Sequence, residues 1–352
     1  MVEFDLGMGE LLRRLPRQPG EIAVVDSHTA GESTRVVLGG MPAPPKCESI
    51  ADIRLWMQRE ADHARRLVTR EPRGHRDIVG AWITAPRAEG ADFGVVFMDA
   101  KRYPFACGTA TVGAITTMIE LGLATPRGER GEVVVDTPAG LVRAYAQLEG
   151  PRVRAVVLEL VPSCVLADSV SLELAGGKRA RACMVFVGGC LALVSTSDLQ
   201  VPLAPDRATD IVAFGDAVVA AANDQHALSH PITGEAATVD GCVLYDPGGD
   251  AERRGAGAVV YGASHLDRSP CGTGTAAKMT RLFERGELSL GERYENRGIL
   301  GTSFEGWLTE EVAVGSRRGV RAQIQTSAQL VGLGALFLDP ADPFPDGYLL
   351  PP

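Results

Sequence analysis

The chain has 352 residues, 45% hydrophobic and 22% charged, which sets aside a disordered polypeptide and leaves room for one large or two ordinary domains. A formal net charge of −9, spread along the sequence, argues against nucleic acid or an anionic membrane as the main partner. No apolar run approaches the roughly 18–20 residues that a bilayer span needs.

Residues 1–21 alternate charge with apolar side chains and hold no uninterrupted apolar stretch of the signal-peptide kind. Two short β runs follow, Ile22–Val25 and Arg35–Leu38, around a polar, glycine-containing turn. Residues 49–70 carry apolar side chains at helical spacing and are followed by Pro72, which predicts one helix ending there. Strands are expected at 81–84 and 93–98. The stretch after Cys107, closed by Gly122, is apolar enough for a buried helix, and strands follow at 132–137, 141–148 and 153–161. The second half has the same character. It shows a strand pair around Gly188–Gly189, a helix over 209–228, strands at 239–246 and 257–262, a helix after Cys271, and β structure over 319–340. Strands predominate without regular βαβ alternation, so the fold class is α+β.

The sharpest feature is a repeat. Cys107-Gly108-Thr109-Ala110-Thr111 is echoed by Cys271-Gly272-Thr273-Gly274-Thr275, nearly half a chain later, and both open a predicted helix. A helix N-terminus offers unpaired N–H groups and a positive dipole end, which hold an anion and lower a thiol's pKa. Gly108 and Gly272 let a ligand approach the backbone, and Thr109 and Thr273 add hydroxyls. One such turn supplies a proton acceptor and a carboxylate cradle. Two facing each other supply a base and an acid on opposite sides of a carbon. Asp267, four residues before Cys271, is placed to meet a substrate ammonium. The other cysteines lack this context. Cys183, Cys190 and Cys242 sit in apolar strand-like runs, and Cys47 and Cys164 have loop-like surroundings. Their odd number and unpaired spacing predict reduced thiols in the cytoplasm. With no CxxC, HxxxH or EF-hand-like run, no metal is expected. His28 and Glu305 are weighed evenly between the cleft and a turn, while Arg73 and His75 read as structural.

On these residues the chain resembles the proline racemase family, of diaminopimelate epimerase-like fold. The resemblance runs through Asp26–Glu32, Glu71–His75, Phe97–Asp99, Tyr103–Gly108, Asp136–Gly140, Phe304–Gly306 and Phe337–Pro343. Asp267-Arg268-Ser269-Pro270-Cys271-Gly272-Thr273-Gly274-Thr275 is the most specific part. It implies two pseudo-symmetric α/β domains around an interdomain cleft. The first is residues 1–165, completed by a C-terminal strand at about 330–352, and the second is 166–329. It implies a cofactor-independent enzyme acting on a small amino acid, and family members are often homodimers. The catalytic pair falls on Cys107 and Cys271, and substrate contacts on Gly108, Thr109, Asp267, Gly272 and Thr273. Cysteine at both positions implies racemisation or epimerisation of proline, hydroxyproline or a related amino acid; cysteine with threonine would imply the trans-3-hydroxy-L-proline dehydratase. The family's first motif usually reads C-G-H. Here Thr109 stands in the histidine's place, a shorter side chain that carries no charge, which leaves the substrate open.

Overall fold

The computed structural model describes residues 21–199, 202–250, 253–261 and 264–350. The amino-terminal residues 1–20 read above lie outside them. Among the described residues the fold is mixed α/β, built on one 17-stranded sheet. No helix is long and apolar enough to cross a membrane, and all seven cysteines are free.

The sheet runs in two matching halves. Outward from its middle, the first half is 152–159, 140–149, 132–137, 93–99, 79–84, 32–39, 22–29 and 328–336. The second is 317–326, 303–314, 294–297, 254–261, 239–246, 190–195, 179–186 and 164–173. In both, the successive pairings are antiparallel, antiparallel, parallel, antiparallel, parallel, antiparallel, antiparallel. The halves join where 317–326 pairs antiparallel with 152–159. The chain order also matches, except that the outermost strand of the first half, Ala328–Leu336, comes from the far end of the sequence and pairs with Ile22–Thr29. It overlaps the first part of the C-terminal strand expected at about 330–352, and among the described residues no further strand follows Leu336.

Each half buries both faces of its central strands, which is why those strands read as continuous apolar runs. Phe93, Val95 and Phe97 face the helix Gly108–Glu120, while Val96 and Met98 face the helices at 50–69. Val259 faces the helix Gly272–Glu284, while Ala258 and Val260 face the helix Ala208–Gln225. A strand period of two feeds both layers from one segment.

Three readings of the sequence need correction. The 49–70 run forms two helices, Ile50–Glu60 and Asp62–Thr69, with Ala61 at φ −133 between them. The break re-aims the second segment, whose Arg65 reaches Asp62 at 2.6 Å and the Asp99 carbonyl at 2.9 Å. Both segments still bury apolar residues in one cluster, so the helical spacing survives the break. Cys164 is the buried first residue of the strand Cys164–Glu173 rather than part of a loop. Glu305 lies on the long strand Ser303–Val314. That strand's outward Glu305, Glu310 and Glu311 pair with Arg293, Arg321 and Arg318, and a register shift between Leu308 and Glu310 breaks its alternation. Charge and the irregularity together mask its β signal.

Behind the Cys271 turn sits a buried polar trio. The Asn296 amide donates to the Pro270 carbonyl at 3.0 Å and to Thr275 Oγ1 at 2.8 Å, and its oxygen accepts from Lys278 Nζ at 3.1 Å. Asn296→Ala removes all three bonds at once. We expect about 2–4 kcal/mol lower stability by urea unfolding; a loss below about 0.5 kcal/mol would show that the turn stands without the trio.

Candidate active site

The helices Gly108–Glu120 and Gly272–Glu284 both take a cysteine as N-cap, and they approach each other. Their first turns repeat one set of bonds. The Thr109 and Thr273 hydroxyls lie 3.4 and 3.3 Å from the sulfurs of Cys107 and Cys271. Thr111 and Thr275 each close the turn by donating Oγ1 to the cysteine carbonyl at 2.7 Å. The N–H three residues on, Ala110 or Gly274, donates to the sulfur. The first intrahelical bonds run from the N–H of Thr111 and Thr275. The N–H groups of Gly108, Thr109, Gly272 and Thr273 therefore precede the ladder and have no helical acceptor. A Cβ built at Gly272 would meet nothing within 4 Å, and one at Gly108 only Leu158 at 3.7 Å. Both turns thus have open space beside their free N–H groups.

The copies also differ. Cys107 has an extended backbone at φ −152. Cys271 has φ +62, a strained region for a residue with a side chain. It is held there by its neighbours: its N–H donates to Ser269 Oγ at 3.0 Å, and Ser269 donates N–H and Oγ to Asp267 Oδ1 at 2.8 and 2.7 Å. Gly274 fits because a Cβ there would press on Val259 Cγ2 at 2.8 Å.

The turn between the strands Ile22–Thr29 and Glu32–Gly39 ties the two motifs together. Thr29 Oγ1 donates to the Thr109 carbonyl at 3.0 Å. Glu32, 2% exposed, meets His265 Nε2 at 2.9 Å and accepts the Arg268 N–H at 2.8 Å. Arg268 reaches on to Asp77 at 2.7 Å. Asp267 is 6% exposed and lies in the electrostatic reach of both thiols. All seven predicted site residues therefore fall on two adjoining helix starts and the loop before the second.

The electrostatics differ from the sequence expectation of lowered thiols. Burial pushes Cys107 up to about 11, with Asp267 and Glu32 adding to the rise, although Thr109 and Ala110 pull the other way. Burial, then Asp267, pushes Cys271 up further, against Thr273, Tyr261 and Gly274. Desolvation of a small anion outweighs the first-turn donors here. Burial and the Glu32 charge raise Asp267 to about 7, partly offset by Ser269 and His265. Burial opposes charging of His265, yet its bond to Glu32 and the charges of Glu32, Asp267 and Asp77 carry it above its usual range.

Other placements are peripheral. His28 Nδ1 accepts the Gly31 N–H at 3.3 Å, a turn contact. Arg73 pairs with Asp342. No group of His, Cys, Asp and Glu suited to a metal occurs among the described residues. Sequence reasoning missed Glu32, His265, Ser269 and Tyr261 as parts of the site. Glu32 and Ser269 lay inside recognised motifs. Tyr261 looked like the end of an ordinary strand, and only its side-chain direction brings its hydroxyl to Cys271 and Thr273, 2.8 Å from each.

The family model described as proline racemase matches residues 24–349. The chain is 33% identical over 329 residues to a proline racemase of Clostridioides difficile, covering 94% of this chain and 98% of that one. It is 35% identical to a 4-hydroxyproline 2-epimerase of Streptosporangium roseum, covering 93% and 97%. The structure of a hydroxyproline epimerase from Agrobacterium vitis, with bound trans-4-hydroxy-L-proline, superposes with a TM-score of 0.85 at 25% identity, covering 96% of each chain.

A carboxyl whose pKa is raised from 3.8 to about 7 holds its proton more tightly in the folded protein. Its stabilising contribution is complete below the unfolded value and is lost as pH rises through the folded one. Asp267→Asn keeps the oxygen that accepts from Ser269 and removes the titration. The ligand-free variant should therefore gain on the parent between about pH 4 and pH 8, reaching about 3 °C in Tm at the upper end. A Tm difference flat across that range would clear Asp267 of the effect.

Proposed function

The chain belongs to the proline racemase family, and on that premise we propose that it is a cofactor-independent racemase or epimerase which moves the α-proton of proline or hydroxyproline between Cys107 and Cys271. The observation that carries this reading is the pair of cysteine-capped helix starts sharing one buried carboxylate, Asp267.

The substrate carboxylate rests on the N–H groups of Gly108, Thr109, Gly272 and Thr273, where two helix dipoles favour an anion. The substrate amine faces Asp267, where its positive charge offsets the burial and the Glu32 charge that raise this carboxyl. One sulfur, as thiolate, takes the α-proton and becomes a thiol. The carbanion-like electron pair spreads into the carboxylate, where the same N–H groups stabilise it. The other thiol delivers its proton to the opposite face and becomes the thiolate, so the two sulfurs exchange roles with each turnover. The burial that raises both thiols also makes each thiolate, once formed, a stronger base toward a weakly acidic C–H. Thr109 directs its hydroxyl toward Cys107 and brings no charge to the amine, so Asp267 carries that contact. In this reading the cleft lies between two domains, residues 1–165 completed by the C-terminal strand and residues 166–329, a boundary that falls just inside the strand Cys164–Glu173.

In deuterated buffer, proline and the hydroxyprolines should gain α-deuterium together with the inverted isomer. Cys107→Ser and Cys271→Ser should each reduce inversion by at least about a thousandfold. Full activity in either variant would sink the two-thiol reading, and a pyrroline product without an inverted isomer would mark a dehydratase. Gly272→Ala fills open space beside the carboxylate cradle. It should leave Tm within about 2 °C while raising KM at least about tenfold; an unchanged KM would move the cradle elsewhere.

A further inference from the structure

The two sulfurs are not equivalently served. Both have a threonine hydroxyl and an amide N–H, but Cys271 has a phenol as well. Tyr261 OH lies 2.8 Å from Cys271 Sγ and 2.8 Å from Thr273 Oγ1, and those two atoms are 3.3 Å apart, so the three form a closed triangle. Tyr261 ends the strand Arg254–Tyr261, on the same face as Val259, and pairs across the sheet with Gly241. A Cβ at Gly241 would crowd the tyrosine ring at 3.1 Å, so the glycine makes room for it. The Gly274 N–H completes the set around the sulfur at 3.3 Å.

A phenol has one proton to donate, and here it has two acceptors at equal distance. We propose that Tyr261 is a positioning residue for Cys271: its O–H donates to the sulfur while Cys271 is a thiolate and turns to Thr273 Oγ1 when the sulfur carries the proton. No proton leaves the tyrosine in this exchange; only the O–H direction changes. Burial, followed by the neighbouring Cys271 and Asp267, holds the phenol well above its ordinary pKa, so it remains a donor throughout. The inference rests on the proposed role of Cys271 as one of the two proton carriers. It adds an asymmetry, since among the described residues Cys107 has the Thr109 hydroxyl and the Ala110 N–H as donors and no phenol.

The charged group that acts on Cys271 is Asp267 on the preceding loop, and Glu32 and His265 act in turn on Asp267. All remain in Tyr261→Phe, so a shift in that variant reports the lost donor. A thiolate deprived of one donor forms at higher pH. We expect the acid limb of kcat/KM to move up by about one pH unit, with kcat near neutrality about tenfold lower and KM within about twofold. The pH profile of alkylation by iodoacetamide, followed on the Cys271 peptide by mass spectrometry, should shift upward by about the same amount while the Cys107 peptide keeps its profile. 3-Fluorotyrosine at position 261, a more acidic donor that retains the hydroxyl, should move both readouts in the opposite direction and decides the matter if the phenylalanine variant folds poorly. Unchanged Cys271 alkylation and an unchanged acid limb in folded variants would overturn the role of Tyr261. If the parent enzyme exchanges no α-deuterium, the proposed function fails instead, and the alkylation profile still decides on Tyr261.

Discussion

Glu32 is buried, and both its carboxylate oxygens are engaged by the segment leading to Cys271, one by His265 and one by the Arg268 N–H. It sits at the end of a hairpin turn whose other side, Thr29, holds the Thr109 carbonyl beside Cys107. A single tight turn thus fixes two helix starts that are far apart in sequence. Burial, followed by the charge of the same Glu32 carboxylate, makes Asp267 reluctant to ionise. A cationic neighbour would relieve that conflict by stabilising the ionised form of Asp267.

The halves of the sheet share strand order, pairing direction and a cysteine-capped helix in the same place, with the outermost strand of the first half supplied by the far end of the chain. Their matching geometry suits a reaction that runs equally in both directions, because each face of a planar carbanion needs a proton carrier of the same kind. Around the two thiols, the second turn carries the departures from symmetry. There Cys271 adopts positive φ, Ser269 and Asn296 hold the loop, and Tyr261 adds a donor. These polar groups concentrate strain and hydrogen bonding on one of two otherwise similar thiols.

Much of this was legible beforehand. The C-G-T repeat located both helix starts, because a helix beginning on a small polar turn leaves a strong local signature. The buried strands at 93–99, 132–137, 239–246 and 254–261 announced themselves by apolar composition. Segments whose signal is non-local were missed. The strand Ser303–Val314 presents outward glutamates that read as surface until their arginine partners, Arg293, Arg318 and Arg321, are seen. Over 49–70 the helical spacing persisted through a break at Ala61, beyond which Arg65 meets the Asp99 carbonyl on another strand.

The sequence by itself determined the family, the α+β class and the two cysteines with their glycine–threonine turns, since each is carried by residues adjacent in the chain. Only the tertiary structure decided what surrounds those thiols. Burial rather than the helix dipole governs their protonation, Glu32 acts on Asp267 from a distant hairpin, and Tyr261 reaches the sulfur because it leaves its strand on the inner face. Desolvation and side-chain direction depend on everything packed around a group, and neither is written in its neighbours along the chain.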